Sequence, residues 1–447
     1  MKQWLTILWL GLSLPLAAQQ PTGTWYGYPD LKTNRIRLEI NLSKQAQGAH
    51  YSATLKMPDI SPALHTASQA EVVEDTLFVF FPQAGVACKG ICVSDSLISG
   101  TIQWGQYLFP LELTRHPVVF RRPQTPQPPY PYRSEDIAFR NEKDGLTLAG
   151  TLTLPEQAKQ CKAVVIVSGS GPQDRNNTFF EHKTYQVIAD YLTRHGIAVL
   201  RVDDRGTGQS EGNAATTSLP DETADARAAI AYLKTRPEIH PDSIGIIGHS
   251  EGAFVAFTLA AAGESPFIIT LAGGGVCGSE LLLMQRAALL RANGAQDAFI
   301  TFYNNYMRQA QNIVLQSKDQ AACRQELAKL FAGSPLAGQE ANLTSQLFNP
   351  ATIELMRYNP LPDFQRITCP VLALNGTKDC QVPVENLEYI QKGIRANGNS
   401  KVTVISYPGL NHMFQPAQSG LPSEYSDIEE TIDPQVLKDI VQWLQHL

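Results

Sequence analysis

The sequence predicts the α/β fold class, with a doubly wound, mostly parallel eight-stranded sheet, a helical cap insertion and a small all-β domain in front. From Ser134 onward, short apolar runs alternate with amphipathic helical patterns, which is typical of a parallel sheet with helices on both faces. Residues 19–116 instead carry short runs of alternating polar and apolar residues at regular spacing, which predict a small antiparallel barrel or sandwich. Residues 277–365 contain helical patterns without strand patterns, which indicates a cap inserted between two core strands.

Residues 1–18 are predicted to be a signal peptide. Lys2 supplies a positive charge, residues 5–16 form an apolar stretch, and small residues at 17–18 precede a cleavage point before Gln19. The apolar stretch is too short to span a bilayer and no second stretch follows it, so we expect no stable membrane insertion. The expected location is therefore the periplasm or the outside of the cell. The alternative to a signal peptide is that this segment forms a buried N-terminal helix.

The β domain, residues 19–116, contains no catalytic pattern. We expect it to bind substrate or a partner protein, and its candidate strands are 35–42, 50–57, 76–81, 97–102 and 106–111.

Seven cysteines leave at least one thiol unpaired within the chain. Cys88 and Cys92 are the closest pair in sequence, and a small disulfide loop and two free thiols are both open alternatives. No nearby pair of Cys or His completes a zinc site, and no metal is expected.

A proline-rich segment, residues 117–133, predicts a semi-rigid linker. The main domain, 134–447, follows it. Its candidate strands are 135–141, 146–153, 162–168, 197–202, 243–248, 267–272, 370–375 and 401–406. Its candidate helices outside the cap are 183–194, 222–235, 251–263, 385–395 and 434–446.

A G-x-S-x-G motif at residues 248–252 lies between a short β-branched run and an unbroken apolar helical run. A strand, a sharp turn and a helix are the context in which a serine can be presented as a nucleophile. Gly248 and Gly252 remove Cβ atoms that would clash in such a turn, so Ser250 is the predicted nucleophile.

A serine nucleophile needs a base and a group that orients this base. Two histidines follow Ser250, and His412 is the predicted base because it lies in a glycine-bearing loop after the last strand. His446, the penultimate residue, is expected to be solvated. Asp379, at the exit of the preceding strand, is the predicted acid, while Asp363 precedes that strand and should lie at the wrong edge.

The developing oxyanion needs backbone N–H donors. One should be Glu251, the residue after the nucleophile, and the second should be Ser170 or Gly171 in the glycine-rich loop 168–175, because Pro172 has no N–H. The loop lacks the spacing and the lysine of a P-loop, which argues against phosphate binding. In a second polar loop, Asp204 and Arg205 are expected to brace the site by hydrogen bonds.

The formal net charge of −6 and the lack of a basic run longer than two residues argue against nucleic acid as a partner. No cofactor motif is present, so none is expected. The chemistry predicted is therefore acyl transfer by side chains alone.

Five separate parts of the chain together resemble the α/β-hydrolase superfamily. They are loops 168–175 and 204–212, the serine motif, residues 376–379 and residues 411–412. The chain is most similar there to exported bacterial esterases and to the serine aminopeptidase and dienelactone-hydrolase-like groups. The resemblance covers residues 134–447 and implies a Ser250–His412–Asp379 triad. Ser168 departs from the pattern, because many relatives carry His before the glycine.

Three functions remain open at this point. The aromatic cap favours a carboxylesterase acting on short to medium acyl or aryl esters. An exported aminopeptidase needs a carboxylate for the substrate's amine, and Glu280 at the start of the cap is the candidate. A binding protein on an inactive hydrolase scaffold is the third hypothesis, and the complete set of predicted catalytic groups argues against it.

Overall fold

The computed structural model describes residues 20–31, 35–45, 50–332, 334 and 336–447. The predicted signal peptide, residues 1–18, lies outside the described residues. The chain divides into two compact units, Met1–Phe120 and Arg121–Leu447.

The first unit is a nine-stranded antiparallel sheet with the strand order β4-β3-β2-β1-β9-β8-β7-β6-β5. Its ends approach each other, since His50 pairs with Glu71 and the Ala67 N–H donates to the Ala53 carbonyl at 2.9 Å. Alternate side chains point into a core that includes the fully buried Trp25. The predicted small all-β domain is confirmed. Its strands are β1 (Gly23–Pro29), β2 (Leu38–Lys44), β3 (Tyr51–Met57), β4 (Ser61–Thr66), β5 (Gln69–Val73), β6 (Thr76–Phe81), β7 (Val86–Cys92), β8 (Leu97–Trp104) and β9 (Tyr107–Thr114).

A disulfide between Cys88 and Cys92 is wrong as an alternative. Both cysteines are free, and both side chains are buried on the same face of β7. Four residues of extended chain separate their Cα atoms by about 13 Å, whereas a disulfide needs roughly 4.4–6.8 Å.

The second unit contains an eight-stranded sheet with the order β10-β11-β15-β12-β16-β17-β18-β19. Within this sheet β11 alone runs against the other strands, because it pairs antiparallel with both β10 and β15. The mostly parallel sheet with an edge hairpin is confirmed. Its strands are β10 (Tyr132–Asn141), β11 (Leu146–Pro155), β12 (Cys161–Val167), β15 (Ala198–Val202), β16 (Ile239–His249), β17 (Ile268–Leu271), β18 (Val371–Gly376) and β19 (Val402–Tyr407), while β13 (Thr178–Phe179) and β14 (His182–Lys183) form a separate hairpin.

Helices cover both faces of this sheet. Neighbouring residues of β12 point to opposite faces, so Val164 packs against α1 and α11 while Val165 packs on the side of α2, α3 and α10. The helices are α1 (Thr184–Arg194), α2 (Leu219–Lys234), α3 (Gly252–Ala261), α10 (Asn386–Arg395) and α11 (Pro434–Gln445). None of the described helices combines the length and the apolarity that crossing a membrane requires.

The cap lies between β17 and β18, as predicted. It has its own apolar core, which includes Tyr303, Met307, Leu327 and Phe331. A helical insertion with its own core is a separate packing layer rather than an extension of the sheet. Its helices are α4 (Gly278–Ala292), α5 (Asp297–Gln316), α6 (Gln320–Ala332), α7 (Glu340–Leu347), α8 (Pro350–Arg357) and α9 (Leu361–Phe364).

Residues 121–131 of the proline-rich segment belong to the second unit, and we call them the docked segment. Arg122 donates to the carbonyls of Phe180, Ser426 and Ile428, each at 2.9 Å. The Gln124 side chain accepts from two backbone N–H groups of residues 431–432 and donates to the Ile432 carbonyl at 2.7 Å. These contacts attach the docked segment to the loop that follows β19.

Candidate active site

The turn between β16 and α3 presents Ser250. Its φ of +53° lies in the left-handed region, and its N–H donates to the Leu271 carbonyl at 2.8 Å. A Cβ on Gly248 would lie 2.3 Å from the Gly252 carbonyl oxygen, and a Cβ on Gly252 would lie 2.4 Å from that of Ser168. Both glycines are therefore required by close backbone approach, and their replacement would displace the serine.

Asp379 and His412 meet at the carboxyl ends of β18 and β19. The distance from His412 Nδ1 to Asp379 Oδ2 is 2.7 Å, and the two side chains are 5% and 0% exposed. The other oxygen of Asp379 accepts from the N–H groups of Gln381 and Val382, both at 2.8 Å. A carboxylate fixed in this way selects the His412 tautomer with a proton on Nδ1 and leaves Nε2 free to accept one.

The loop that carries His412 is held by uncharged groups. Asn411 Oδ1 accepts from the N–H groups of Met413 and Gln415, both at 2.9 Å. Gln415 in turn lies 3.0 Å from a ring nitrogen of His182, whose other nitrogen lies 2.8 Å from the Thr431 hydroxyl. Burial first, and then the nearby Arg122 charge, lower the pKa of His182 to about 4. This support therefore stays neutral at physiological pH.

The predicted oxyanion donors lie on the other side of Ser250. Ser170 and Glu251 line the same cavity as Ser250, and within the described residues neither backbone N–H donates to a protein acceptor. Gly169 packs against Ser250, since a Cβ there would lie 3.0 Å from the Ser250 Cβ. Gly171 is not among the residues that line this cavity. The geometry therefore favours Ser170 over Gly171 as the second donor.

Asp204 anchors the glycine-rich loop 168–175, which carries the predicted oxyanion donor and is called the oxyanion loop below. Its carboxylate accepts from the Ser168 hydroxyl at 2.5 Å and from the Gln173 N–H at 2.8 Å. Burial raises the pKa of Asp204 to about 7, against the lowering effect of these two hydrogen bonds. The Ser168 side chain thus points to Asp204.

Arg205 braces a different part of the structure from Asp204. It donates to Asp225 and Asp144, both at 2.8 Å, and lies 3.5 Å from Asp221. Its contacts therefore join its loop to α2 and to the β10–β11 turn rather than to the oxyanion loop.

His249 joins the two sides of the site. One ring nitrogen lies 3.3 Å from the His412 carbonyl oxygen and the other lies 3.1 Å from the Tyr185 hydroxyl. Tyr185 donates to the Gln173 side chain at 3.1 Å, in the loop that Asp204 anchors. Burial first, and then the neighbouring His412, lower the pKa of His249 to about 3, so it acts as a neutral link.

The structure does not join every predicted catalytic group. His412 packs against His249, next to Ser250, with a ring separation of 5.0 Å. Among the described residues, no hydrogen bond connects the Ser250 hydroxyl to His412. Such contacts are often long before substrate binds. The nucleophile–base contact is therefore a proposal, taken up below.

A sequence profile of the family described as "Serine aminopeptidase, S33" matches residues 179–415, which is more than half of the chain. The matched range contains the serine turn, the cap, Asp379 and His412. The chain belongs to this family of α/β-hydrolases.

Besides matching the family profile, the chain is similar to several individual proteins. It is 25% identical over 300 residues to esterase EstD of Thermotoga maritima, covering 66% of this chain and 65% of EstD, which is less than two thirds of that protein. Among solved structures, the Pyrococcus furiosus esterase Pf2001 is 16% identical, covers 70% of this chain and 93% of that chain, and has a TM-score of 0.42. The α/β-hydrolase GrgF from Penicillium sp. sh18 is 18% identical, with coverages of 70% and 98% and a TM-score of 0.45.

The alternative candidates Glu280, Asp363 and His446 do not line the cavity that contains Ser250. Glu280 pairs with Arg308 at 2.5 Å on the cap surface, outside the cavity lining. Asp363 accepts from the Thr258 hydroxyl at 3.1 Å. His446 is exposed at the end of α11, with Nδ1 2.6 Å from the Gln442 carbonyl. These positions leave Asp379 as the carboxylate that contacts the predicted base.

Several residues that support the candidate site were not predicted from the sequence. Arg175 pairs with Asp203 at 2.7 Å, and His182 and Tyr185 complete the networks described above. The charged residues themselves, Arg175 in the loop 168–175 and Asp203 and Asp204 in the second polar loop, were visible in the sequence. The pairing of His182 with a loop more than two hundred residues away was not.

Proposed function

We propose that the protein is an exported serine esterase that uses Ser250, His412 and Asp379. The observation that carries the proposal is the buried Asp379–His412 pair at 2.7 Å beside the Ser250 turn. Membership of the S33 family and the similarity to a protein named esterase EstD support an esterase. Export rests on the sequence of residues 1–18, and N-terminal sequencing of the exported protein, expected to begin at Gln19, tests it.

The proposed reaction has two steps. Ser250 Oγ attacks the ester carbonyl carbon while His412 Nε2 takes its proton, and the oxyanion is held by the N–H groups of Ser170 and Glu251. Collapse of the intermediate releases the alcohol, which receives the proton from His412 and leaves an acyl-serine. Water then attacks this acyl-serine with His412 as base, releasing the carboxylic acid and the free serine.

The aminopeptidase alternative needs a free carboxylate close to Ser250. Glu280 is occupied by Arg308 and lies outside the cavity lining. Glu251 does line the cavity, but burial raises the pKa of its carboxyl. Burial disfavours the ionised form of this carboxyl, and the ionised form is the one that would pair with an ammonium group. The esterase is therefore the function that the site supports better.

Ser250→Ala should lower turnover of p-nitrophenyl acetate by roughly 10⁴-fold or more, because triad groups act as a unit. A fluorophosphonate probe should label the native protein at Ser250 and leave the variant unlabelled. Ser279→Ala is a matched control, since this serine of α4 does not line the cavity that contains Ser250. Ordinary activity in Ser250→Ala would refute the assignment, and faster cleavage of aminoacyl nitroanilides than of esters would favour the peptidase.

A further inference from the structure

The cavity that contains Ser250 is small and combines apolar walls with two amide side chains, and we call it the nucleophile cavity. Its volume of about 40 Å³ is a few times the roughly 10–15 Å³ that one water molecule requires. Such a space holds a reacting carbonyl and a substituent of a few atoms. The apolar part of its lining consists of Phe254, Leu281, Leu282, Leu355 and Val382.

The two amides come from different elements. Gln285 lies on α4, the first helix of the cap, and Gln381 lies in the loop that follows β18. Residues four apart on a helix lie on one face, so Gln285 is the neighbour of Leu281 along the cavity wall. The cap and the core therefore each contribute one amide to the space that contains the predicted nucleophile.

The Gln285 amide is available to a bound molecule. Among the described residues, none forms a hydrogen bond with this side chain, whereas the adjacent Arg286 donates to the Tyr303 hydroxyl at 2.8 Å. Gln285 is half-buried, and its amide atoms remain accessible. Since an amide has two donor hydrogens and an acceptor oxygen, this side chain can both donate to and accept from a ligand.

The Gln381 amide is held at one end and open at the other. Its Nε2 donates to the hydroxyl of the buried Tyr425 at 3.1 Å, and its backbone N–H donates to Asp379 at 2.8 Å. Within the described part of the chain, no group donates to Gln381 Oε1. The bond to Tyr425 thus leaves the oxygen as the atom with which Gln381 can bind a ligand.

The charge of the nucleophile cavity favours an uncharged partner for these amides. Among the described residues that line it, Glu251 alone has an acidic or basic side chain. Burial raises the pKa of this carboxyl, which disfavours its anionic form. A substrate carboxylate would therefore lack a cationic partner in this cavity, and a substrate ammonium group would lack a stable anionic one.

We propose that Gln285 and Gln381 determine specificity by binding an uncharged hydroxyl group close to the scissile ester bond. The hydroxyl donates to Gln381 Oε1 and accepts from the Gln285 amide, while the ester carbonyl lies at Ser250. An apolar substituent in the same place would leave both amides without these partners, which weakens binding.

This inference rests on the proposed esterase function and adds a substrate class to it. The substrates are esters that carry a short hydroxylated group on one side of the ester bond. The hydroxyl has two possible sources, the acid part and the alcohol part, and the test separates them.

The test uses two pairs of esters in which a hydroxyl replaces a methyl group. Ethyl glycolate and ethyl propionate differ in the acid part, whereas 2-hydroxyethyl acetate and propyl acetate differ in the alcohol part. Acid release is followed in a pH-stat, and kcat/KM of each hydroxylated ester is divided by that of its methyl partner. Dividing the ratio of a variant by the native ratio cancels the intrinsic reactivity of the esters.

Three variants complete the design. Gln285→Met and Gln381→Met each remove one amide and keep an unbranched side chain, so each should lower the ratio of one ester pair by about 3–10-fold. Gln309→Met, at an exposed position of α5 outside the cavity, is the matched control and should leave both ratios within about twofold. Thermal melting checks the fold, and if one of the two cavity variants does not fold, the other decides.

The outcomes separate this inference from the proposed function. A lower ratio in the glycolate pair assigns the hydroxyl to the acid part, a lower ratio in the acetate pair assigns it to the alcohol part, and either result supports the inference. Unchanged ratios in both pairs, an equal fall in Gln309→Met, or cleavage of p-nitrophenyl acetate without cleavage of either hydroxylated ester would overturn it. Absence of Ser250-dependent hydrolysis of p-nitrophenyl acetate would instead refute the esterase itself.

Discussion

The two sides of Ser250 are held in place by different kinds of interaction. On the side of the base, the loop that carries His412 is held by amides, backbone groups and the neutral His182. On the oxyanion side, the supports are carboxylates and guanidinium groups, with Asp204 under the loop and the Asp203–Arg175 pair beside it. Apart from Asp379 and Arg122, the base side is held by uncharged hydrogen bonds, whereas the oxyanion side is held mainly by buried ionisable groups.

This difference determines which side responds to pH. His182 and His249, with pKa values lowered to about 4 and about 3, remain neutral between pH 5 and 9. Burial raises the pKa of Asp204 to about 7. Burial, together with the charges of Glu251 and Asp204, raises that of Glu222 to about 9. A change of pH in this window therefore alters the charge on the oxyanion side and leaves these supports of the base unchanged.

The largest expected effect comes from the acid. Asp379→Asn should lower kcat for p-nitrophenyl acetate by roughly 10³–10⁴-fold, because an amide donor at this position favours the wrong His412 tautomer. Steady-state kinetics measure the loss, and circular dichroism checks the fold. Asp363→Asn is the matched control and should stay within about twofold. Equal losses in the two variants would contradict the distinct role given to Asp379.

A smaller effect is expected from the docked segment. Arg122→Ala removes the donor to three carbonyls, which should cost about 1–3 kcal/mol of unfolding free energy. It should also reduce kcat by roughly tenfold, because small displacements of a catalytic group are costly. Denaturant unfolding and kinetics give the two numbers.

The neighbouring arginine provides the control for this variant. Arg121 is exposed and lies 3.6 Å from the exposed Glu429, so Arg121→Ala should change stability by less than about 0.5 kcal/mol. Two arginines that are adjacent in sequence are thus expected to differ clearly. If their effects are equal, the docked segment does not position the base.

The smallest effect concerns Glu222. Its folded pKa is raised, so its contribution to stability is present below the unfolded value of about 4.5 and is lost as pH rises toward about 9. Glu222→Gln should therefore match the native protein at pH 5 and melt roughly 2–5 °C higher at pH 9. Differential scanning calorimetry at both pH values measures this, and a lower melting temperature at pH 9 would contradict the assigned direction.

Those parts of the candidate site that depend on neighbouring residues could be predicted from the sequence. Short-range patterns predict the strand, turn and helix around Ser250. They also predict that Asp379 and His412 follow the last two strands. Five of the nine strands in the first unit were predicted. Strand β7 was missed, since Gly90 at a buried position and Ile91 at an exposed position interrupt the polar–apolar alternation. A Cβ on the paired Gly100 would lie 2.1 Å from the Lys89 carbonyl, a cross-strand constraint that no local window contains.

The supports of the site were harder to predict because they are pairs distant in sequence. His182 and Thr431 are 249 residues apart, and Gln124 and Ile432 are 308 apart. The proline-rich composition of 117–133 predicted an extended, semi-rigid linker, whereas the structure contains a turn in which the Thr125 N–H donates to the Arg122 carbonyl at 3.1 Å. The composition gave no sign that Arg122 and Gln124 hydrogen-bond to the loop after β19.

The docked segment determines where this chain can be divided. From composition alone, one would choose any position in the proline-rich segment to divide the chain or to fuse another domain. A junction after Arg122 or Gln124 would, however, remove from the second unit the contacts that hold its loop after β19. A domain exchange that preserves the second unit must join the chains at or before Phe120. A protease should likewise cleave these prolines less readily than their composition suggests, because cleavage requires the backbone to leave its hydrogen bonds first.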